Sequence, residues 1–442
     1  MFIDNRLILA VLLIITLIVS FQFCGKRFSS PVIFFVTPFI LQSLITYLYY
    51  PWDISDSTLY IILGGSITFA LVSTLIHHLC EFFPEPETST RNNEKAILTD
   101  LQYLILVFVT IAAIAIVYQG VVSATAGSLF DFAKTLGNFN AAIKSEDESV
   151  SIGALPSLIY NLLIGASYAY AYMLAVSICK CKKTKLAYPI ILFLIGSLGI
   201  MVSGSRTDVI GPMIALILLV LMFKEQAKNR ISLSSIPIRV YIFLIIFIIA
   251  IIWFFQFSTS LIGRDVEQTP IDYISTYLGA SLQNFDYTQT HSSVNSGYFG
   301  LNTFKPLYDS LEQLGLVPTG ISRSRFPFIS RDGYFTGNVY TTYYSLILDF
   351  GIIGTMICIA IMAIIMQLLY EYSIRDMKVR FIPIIPIIYS LLNYYMFMSF
   401  FASNFFQGIT STGFLKAAVG ICLITSYQHI CNHYIIVPHT LI

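Results

Sequence analysis

Charge is what this 442-residue chain has least of. Asp, Glu, Lys and Arg together supply 11% of it, while apolar residues supply 56%. A soluble domain carries about 25% charged residues. The charge is cleared from long blocks rather than thinned evenly, which is the pattern of a chain that crosses a bilayer many times. A net charge of +1 gives no basic footprint for nucleic acid. No small-x-small cleavage site follows the first apolar run, Leu7–Phe23, so the expectation is an uncleaved span rather than a leader peptide. Low-complexity tracts, long like-charge tails and visible repeats are also missing. Cys179-x-Cys181 has no second cysteine pair at zinc-site spacing, and the segments expected outside hold no Asp-x-Asp or His/Cys cluster, so neither a metal nor another cofactor is expected.

What is present is a series of apolar runs near the ~20 residues that cover ~30 Å of hydrocarbon. They are Leu7–Phe23, Pro31–Tyr49, Leu59–Cys80, Leu101–Tyr118, Leu155–Ile178, Leu186–Val202, Val209–Phe223, Val240–Phe257, Thr342–Tyr370, Phe381–Phe401 and Ile409–Cys431, eleven in all. Backbone amides in lipid must be satisfied within their own segment, so each run is expected to be a helix. Pro212 should fall in the first turn of the seventh, where it costs no helical hydrogen bond. Alternate connections hold fifteen lysines and arginines against nine in the other, much longer set. The first set is therefore placed in the cytoplasm, with the N-terminus outside and the C-terminus inside. All seven cysteines then fall in spans or on the cytoplasmic side, where thiols stay reduced.

Two long outside segments result, 120–154 and 258–341. In the first, Leu129–Ala142 could form a short surface helix within a solvated connector. The second is far longer than the ~4–6 residues of an ordinary connection, which marks it as functional. Thr269-Pro270-Ile271-Asp272 offers a cap, a proline at the first helical position and an acid in the first turn of a helix. Ile271, Ile274, Leu278 and Leu282 would share one face of it. A second helix should run from Pro306 to Leu314, stopped by Gly315. The rest is rich in Tyr and Phe, rings that pack on sugar faces or sit at membrane interfaces.

Arginine is the residue of interest here, because its fork holds phosphate bidentately and stays charged. Arg206 lies in the tight turn Ser203-Gly204-Ser205-Arg206-Thr207-Asp208, free to grip an anion, to snorkel to headgroups or to pair with Asp208. Arg323, Arg325 and Arg331 cluster against the orientation bias, suited to an anionic ligand or to anionic lipid. Arg264 adjoins Asp265 as an exposed pair. Asp349 and Lys416 are ionisable groups inside spans, functional by default unless water-exposed or snorkelling. His291 is the one outside histidine and a general-base candidate, in competition with Asp265, Asp272, Asp286, Asp309, Glu312 and Asp332. His77 and His78 sit at a cytoplasmic helix end, where they favour the dipole.

With those residues in view, the chain resembles the Wzy-type oligosaccharide repeat-unit polymerases, or O-antigen polymerases. The resemblance rests on the number of spans, one dominant outside segment, the Gly204-Ser205-Arg206 turn, and Gly337-Asn338-Val339-Tyr340-Thr341 running into Asp349-Phe350-Gly351-x-x-Gly354. It implies an all-α polytopic membrane protein, similar to GT-C-type glycosyltransferases, in a bacterial inner membrane with one large helical periplasmic loop. It implies transfer of a growing chain from undecaprenyl diphosphate to a hydroxyl on an incoming lipid-linked repeat unit, without a metal. It also implies that Arg206 holds a diphosphate; Arg323 and Arg325 match only as loop arginines, and these with His291, the general-base candidate read from the residues, complete the expected catalytic set. Arg264, Arg331, Asn338, Tyr340, Asp349 and Lys416 would then contact substrate. Membrane lipid, a chain-length regulator and a flippase are the partners implied. Some members carry an arginine followed eleven residues later by glycine in two outside loops; here no loop arginine has that glycine and 120–154 has no arginine. An O-antigen ligase and a lipid-linked sugar flippase remain the alternative readings.

Overall fold

The computed structural model describes residues 4–82, 98–125, 127–144, 151–180, 186–205, 207–228, 270–291, 297–321, 326–377 and 381–434. In chain order the helices are α1 (Asn5–Phe23), α2 (Pro31–Tyr49), α3 (Asp56–Glu81), α4 (Asp100–Thr125), α5 (Phe132–Lys144), α6 (Ala154–Lys180), α7 (Ala187–Gly199), α8 (Thr207–Lys228), α9 (Pro270–His291), α10 (Lys305–Gln313), α11 (Thr342–Arg375), α12 (Ile384–Phe397), α13 (Asn404–Ile409) and α14 (Thr412–Tyr434). A hairpin of β1 (Ile329–Arg331) and β2 (Tyr334–Gly337) precedes α11. Eight of these helices are long and apolar enough to cross a membrane, so the protein is a predominantly helical, multi-pass membrane protein. Two shorter apolar stretches, Ala187–Ser203 and Ile384–Phe400, cover the sixth and tenth expected spans. The eighth, Val240–Phe257, lies outside the described residues.

The contacts divide the chain into two units. One comprises Met1–Glu85, Gln268–Tyr372 and Leu392–Thr412. Here α1 packs on α2 and α3, and the starts of α1 and α3 are fixed by local polar groups: Asp4 accepts from the Arg6 amide, and Ser55 accepts from the Thr58 amide. Arg6 is only 5% exposed. Its guanidinium donates to the Thr46 and Tyr50 carbonyls at 3.1 and 2.7 Å, closing the C-terminal end of α2, and pairs with Asp4. Toward the other end of the same bundle His77 Nδ1 lies 2.6 Å from Glu371, which also accepts from Gln367. His77 thus has a buried carboxylate as its partner in addition to the helix dipole.

In sequence, 258–341 reads as a loop carried by the spans. Its central helix instead belongs to the packing. At 22 residues α9 is about 33 Å long, and it lies against α2. The Gln42 side chain donates to Ser281 Oγ and to the Phe400 carbonyl at 2.7 and 2.9 Å, and Ser281 donates to the same carbonyl. Gln42 is seven residues before the end of α2, so this contact sits about 10 Å down the helix. The reason is composition: Ser275, Ser281, Gln283, Asn284, Asp286 and Thr288 are all buried, and such side chains are costly to bury unless neighbours bond them. α9 is too polar to face lipid and finds its partners among other helices.

Two other spans are interrupted. Gly351 takes φ 66° and ψ −174°, breaking α11 nine residues after its start. After α12 the chain passes through a 3-10 turn, Met398–Phe400, before α13. Unbroken helices were expected at both places.

The second unit comprises Pro86–Glu267, Ser373–Leu391 and Gly413–Ile442. In it α6 packs on α4, α7 and α8. The helix expected over Leu129–Ala142 is α5, whose Leu136 and Phe139 enter a core with Val121, Leu163, Ile200 and Val209. The α6–α14 crossing is backbone on backbone: a Cβ at Gly165 would lie 1.9 Å from the Ala417 carbonyl, and one at Gly420 2.3 Å from that of Leu162. Pro212 is not in the first turn. Because α8 begins at Thr207, Pro212 is its sixth residue, and the Asp208 carbonyl loses its helical partner.

Candidate functional site

The long segment meets the rest of its unit at the end of α2. Asp332 and Gly333 both have positive φ, 47° and 84°, which is the mirror-image turn that matches strand twist in a two-residue hairpin. That turn lays the hairpin on the α2–α3 connection. Tyr334 contacts Tyr49, Tyr50 and Trp52, with the Trp52 ring centroid at 5.3 Å, and Asp332 accepts a 2.9 Å hydrogen bond from the Trp52 indole. Arg331 lies over the Trp52 ring at 4.3 Å, with the Tyr287 ring of α9 at 5.8 Å and Asp332 at 3.8 Å. Stacking takes the faces of a guanidinium and leaves its N–H edges, so the aromatic groups orient the cation without consuming its donors. The Arg331 side chain is 36% exposed. A fixed, partly exposed arginine of this kind suits an anion that approaches edge-on.

α9 holds the arrangement. Gln283 donates to the Trp52 carbonyl at 3.0 Å, and Asp286 accepts from the Ser55 amide and hydroxyl at 2.7 and 2.6 Å. Asn284 Nδ2 donates to the carbonyls of Thr336, Gly337 and Val339 at 3.0, 3.3 and 2.9 Å. The Gly337-Asn338-Val339-Tyr340 stretch is therefore gripped by its backbone. Asn338 is half-buried within it. Tyr340 is buried, stacks on Tyr344 at 4.5 Å and donates to the Pro327 carbonyl at 2.8 Å. Burial, then the neighbouring Tyr344, pushes its phenol above the ordinary tyrosine value.

Asp349 ties down a second stretch of the segment. It accepts from the Asn302 amide and side chain at 3.3 and 2.9 Å and from the Thr303 amide at 2.7 Å. Phe350 beside it packs on Phe299 and Phe304. The Asp349-Phe350-Gly351 motif thus anchors 299–304 to the kink in α11.

Among the described residues, no group of three His, Cys, Asp or Glu could hold a metal. Arg206, Arg264, Arg323 and Arg325 lie outside the described residues, as does the side chain of His291 at the end of α9. Beside Arg206, Gly204 admits a protein neighbour: a Cβ there would meet the Asn140 amide at 2.6 Å. Asp208 accepts from Tyr160 at 2.7 Å. Lys416, half-buried, precedes the Ala417 that packs on Gly165 in the second unit. Of the residues singled out from sequence, Arg331, Asn338, Tyr340 and Asp349 are assembled within one unit. Trp52 and Asn284 were not singled out, and Tyr287 and Tyr334 stood only among the rings expected on sugar faces or at the membrane interface. The Asp332-Gly333 pair between apolar stretches was the signal for the hairpin, and Trp52, one of two tryptophans, was the signal for its seat. Compared with family models, curated proteins and solved structures, the chain matches none.

Proposed function

We propose that this protein is a membrane glycosyltransferase that polymerises oligosaccharide repeat units carried on a lipid diphosphate. The observation that carries the reading is Arg331, a guanidinium oriented by Trp52 and Tyr287 on a hairpin built into the bundle. Together with Arg206, Arg264, Arg323 and Arg325 it gives the segments assigned to the outside face an excess of phosphate-binding forks. The reaction needs that. An acceptor hydroxyl attacks the anomeric carbon, the bond from that carbon to the diphosphate oxygen breaks, and the leaving diphosphate gains charge that arginines stabilise. A carboxylate or His291 takes the hydroxyl proton. Asn338 and Lys416 are the further substrate contacts on this reading, while Tyr340 and Asp349 shape the segment.

The test is the surface-polysaccharide ladder of cells in which the gene is deleted and then restored. A polymerase deletion leaves single repeats attached, a ligase deletion leaves none, and a flippase deletion strands the lipid-linked repeat on the cytoplasmic leaflet. Arg206→Ala and Arg331→Ala should each shorten the ladder while the protein still inserts, and lysine at either position should restore it poorly, since a point charge replaces a fork. Full ladders from both alanine variants would remove arginine from the site.

A transporter is the second reading, favoured by the interruptions at Gly351 and at Met398–Phe400. Broken spans are tolerated only where freed backbone groups find other partners, and transporters place binding sites there. Stranding of the lipid-linked repeat, with chain length unchanged in partial variants, is its distinguishing outcome.

A further inference from the structure

α10 is built to lie on something apolar. Leu307, Leu311 and Leu314 follow one another at four and three residues, so they share a face, while Lys305, Asp309, Glu312 and Gln313 fall on the opposite side. No residue of the helix is buried. Leu307, Leu314 and Leu316 are 42%, 72% and 68% exposed, and Phe299 is 78% exposed. The polar side is already covered in part, because Glu312 accepts from the Gly320 amide at 3.1 Å.

The place of this leucine face identifies its partner. Phe304, at the start of α10, packs on Phe350 of α11 and on Phe406 of α13. Phe299 meets the same Phe350 ring at 5.0 Å, and Tyr308 donates to the Phe299 carbonyl. Immediately after Phe350 begins the exposed apolar stripe of a membrane span: Ile352, Ile353, Ile357, Ile361, Ile364 and Leu368. The leucines of α10 therefore continue a surface that already faces hydrocarbon. A helix with one leucine face and one charged face, starting where a span leaves the bilayer, is the form that lies within the interface.

We propose that α10 is an interfacial helix whose Leu307–Leu311–Leu314 face is embedded in the bilayer leaflet at the Thr342 end of α11. Lipid is the partner of this surface, and α10 fixes the height of the polar segment above the hydrocarbon. The proposal is independent of the reaction assigned above.

The full-length protein is reconstituted alone in nanodiscs. Single cysteines replace Leu307, Leu314, Asp309 and Gln313 in a cysteine-free variant and carry an environment-sensitive fluorophore. Labels at 307 and 314 should be quenched several-fold more by brominated phospholipid than labels at 309 and 313, and the latter should be reached by iodide. Leu314→Trp repeats the lipid-quenching measurement should the cysteine-free variant not fold, read as the difference from the unsubstituted chain, whose Trp52 and Trp253 set the background. Equal lipid quenching on both faces overturns the proposal. So does iodide access at 307 and 314, which would leave the face for a protein partner absent from the nanodisc, and so does protection from both quenchers, which would bury it within the protein.

Discussion

At the scale of single residues, the polar groups of this chain are placed where backbone would otherwise go unpaired. Asn284 is the clearest case, with one amide nitrogen serving three carbonyls. Asn284→Ala should cost about 1–3 kcal/mol, because buried acceptors lose their donor. Asn284→Asp should cost more, since a carboxylate has no proton to offer those carbonyls; thermal unfolding in detergent reads both. Arg6 and its acids make a pair of opposite predictions. The Arg6 side-chain hydrogen bond holds the Asp4 carboxyl below its ordinary value, whereas burial pushes that of Asp53 up. A depressed carboxyl stabilises the fold above its unfolded value, about 3.9, and that contribution is lost as pH falls through the folded value. A raised one does the reverse, stabilising at low pH and losing the contribution as pH rises through its folded value. Asp4→Asn should therefore destabilise by about 1 kcal/mol at pH 7, allowing for partial solvent access, with the difference vanishing on acidification below about pH 4. Asp53→Asn should be neutral or mildly stabilising at pH 7. A loss of stability at Asp53 equal to that at Asp4 would contradict this account of the pair.

At the scale of elements, the helices were legible because their signals are local. Length and apolarity marked the spans, Thr269-Pro270 marked the start of α9, and Gly315 marked the end of α10. What failed to show was how elements use one another. α9 read as a short helix in a loop because its polarity looks the same whether it faces water or the polar groups of Gln42, Thr46 and Ser55. The Gly351 break was hidden because a lone glycine in an apolar run is ordinary in membrane helices, and the contacts beside it, from Asn302 and Thr303 to Asp349 and from Phe299 and Phe304 to Phe350, come from a distant part of the sequence. The most suggestive sequence motifs turned out to shape backbone in the described residues, while most of the candidate arginines lie outside them. Two substitutions probe these elements. Gly351→Ala should destabilise by about 1–3 kcal/mol, because its φ and ψ belong to a region only glycine enters without strain. Gly165→Leu should cost at least as much, since its Cβ alone would overlap the Ala417 carbonyl. An unchanged melting temperature for Gly165→Leu would mean that α6 and α14 do not cross there.

At the scale of the whole molecule, the outer-leaflet chemistry depends on which face each connection occupies. The two long segments carry most of the residues proposed for chemistry, and the short alternate connections carry most of the lysines and arginines. Positive charge retained on the cytoplasmic side sets orientation through short connections, and long segments cross largely regardless of charge. On the proposed orientation, Lys180–Lys185 and Lys224–Arg239 face the cytoplasm and the hairpin faces the outside. A lipid-diphosphate chemistry on the outer leaflet requires that arrangement, because Arg331 on the cytoplasmic face would meet a different pool of substrates. Fusions decide it without reference to catalysis. A reporter that is active only in the cytoplasm should be active after Gln226 and after Ile442, and one active only outside should be active after Gly320. Cysteines placed at Asp332 and at Lys134 should react with an impermeant maleimide in intact spheroplasts, and cysteines at Lys183 should react only after lysis. Reaction of the Lys183 position in intact cells, with the Asp332 position silent, would invert the molecule and remove outer-leaflet polymerisation from consideration, while leaving the packing of α9 on α2 and the seat of Arg331 on Trp52 as they stand.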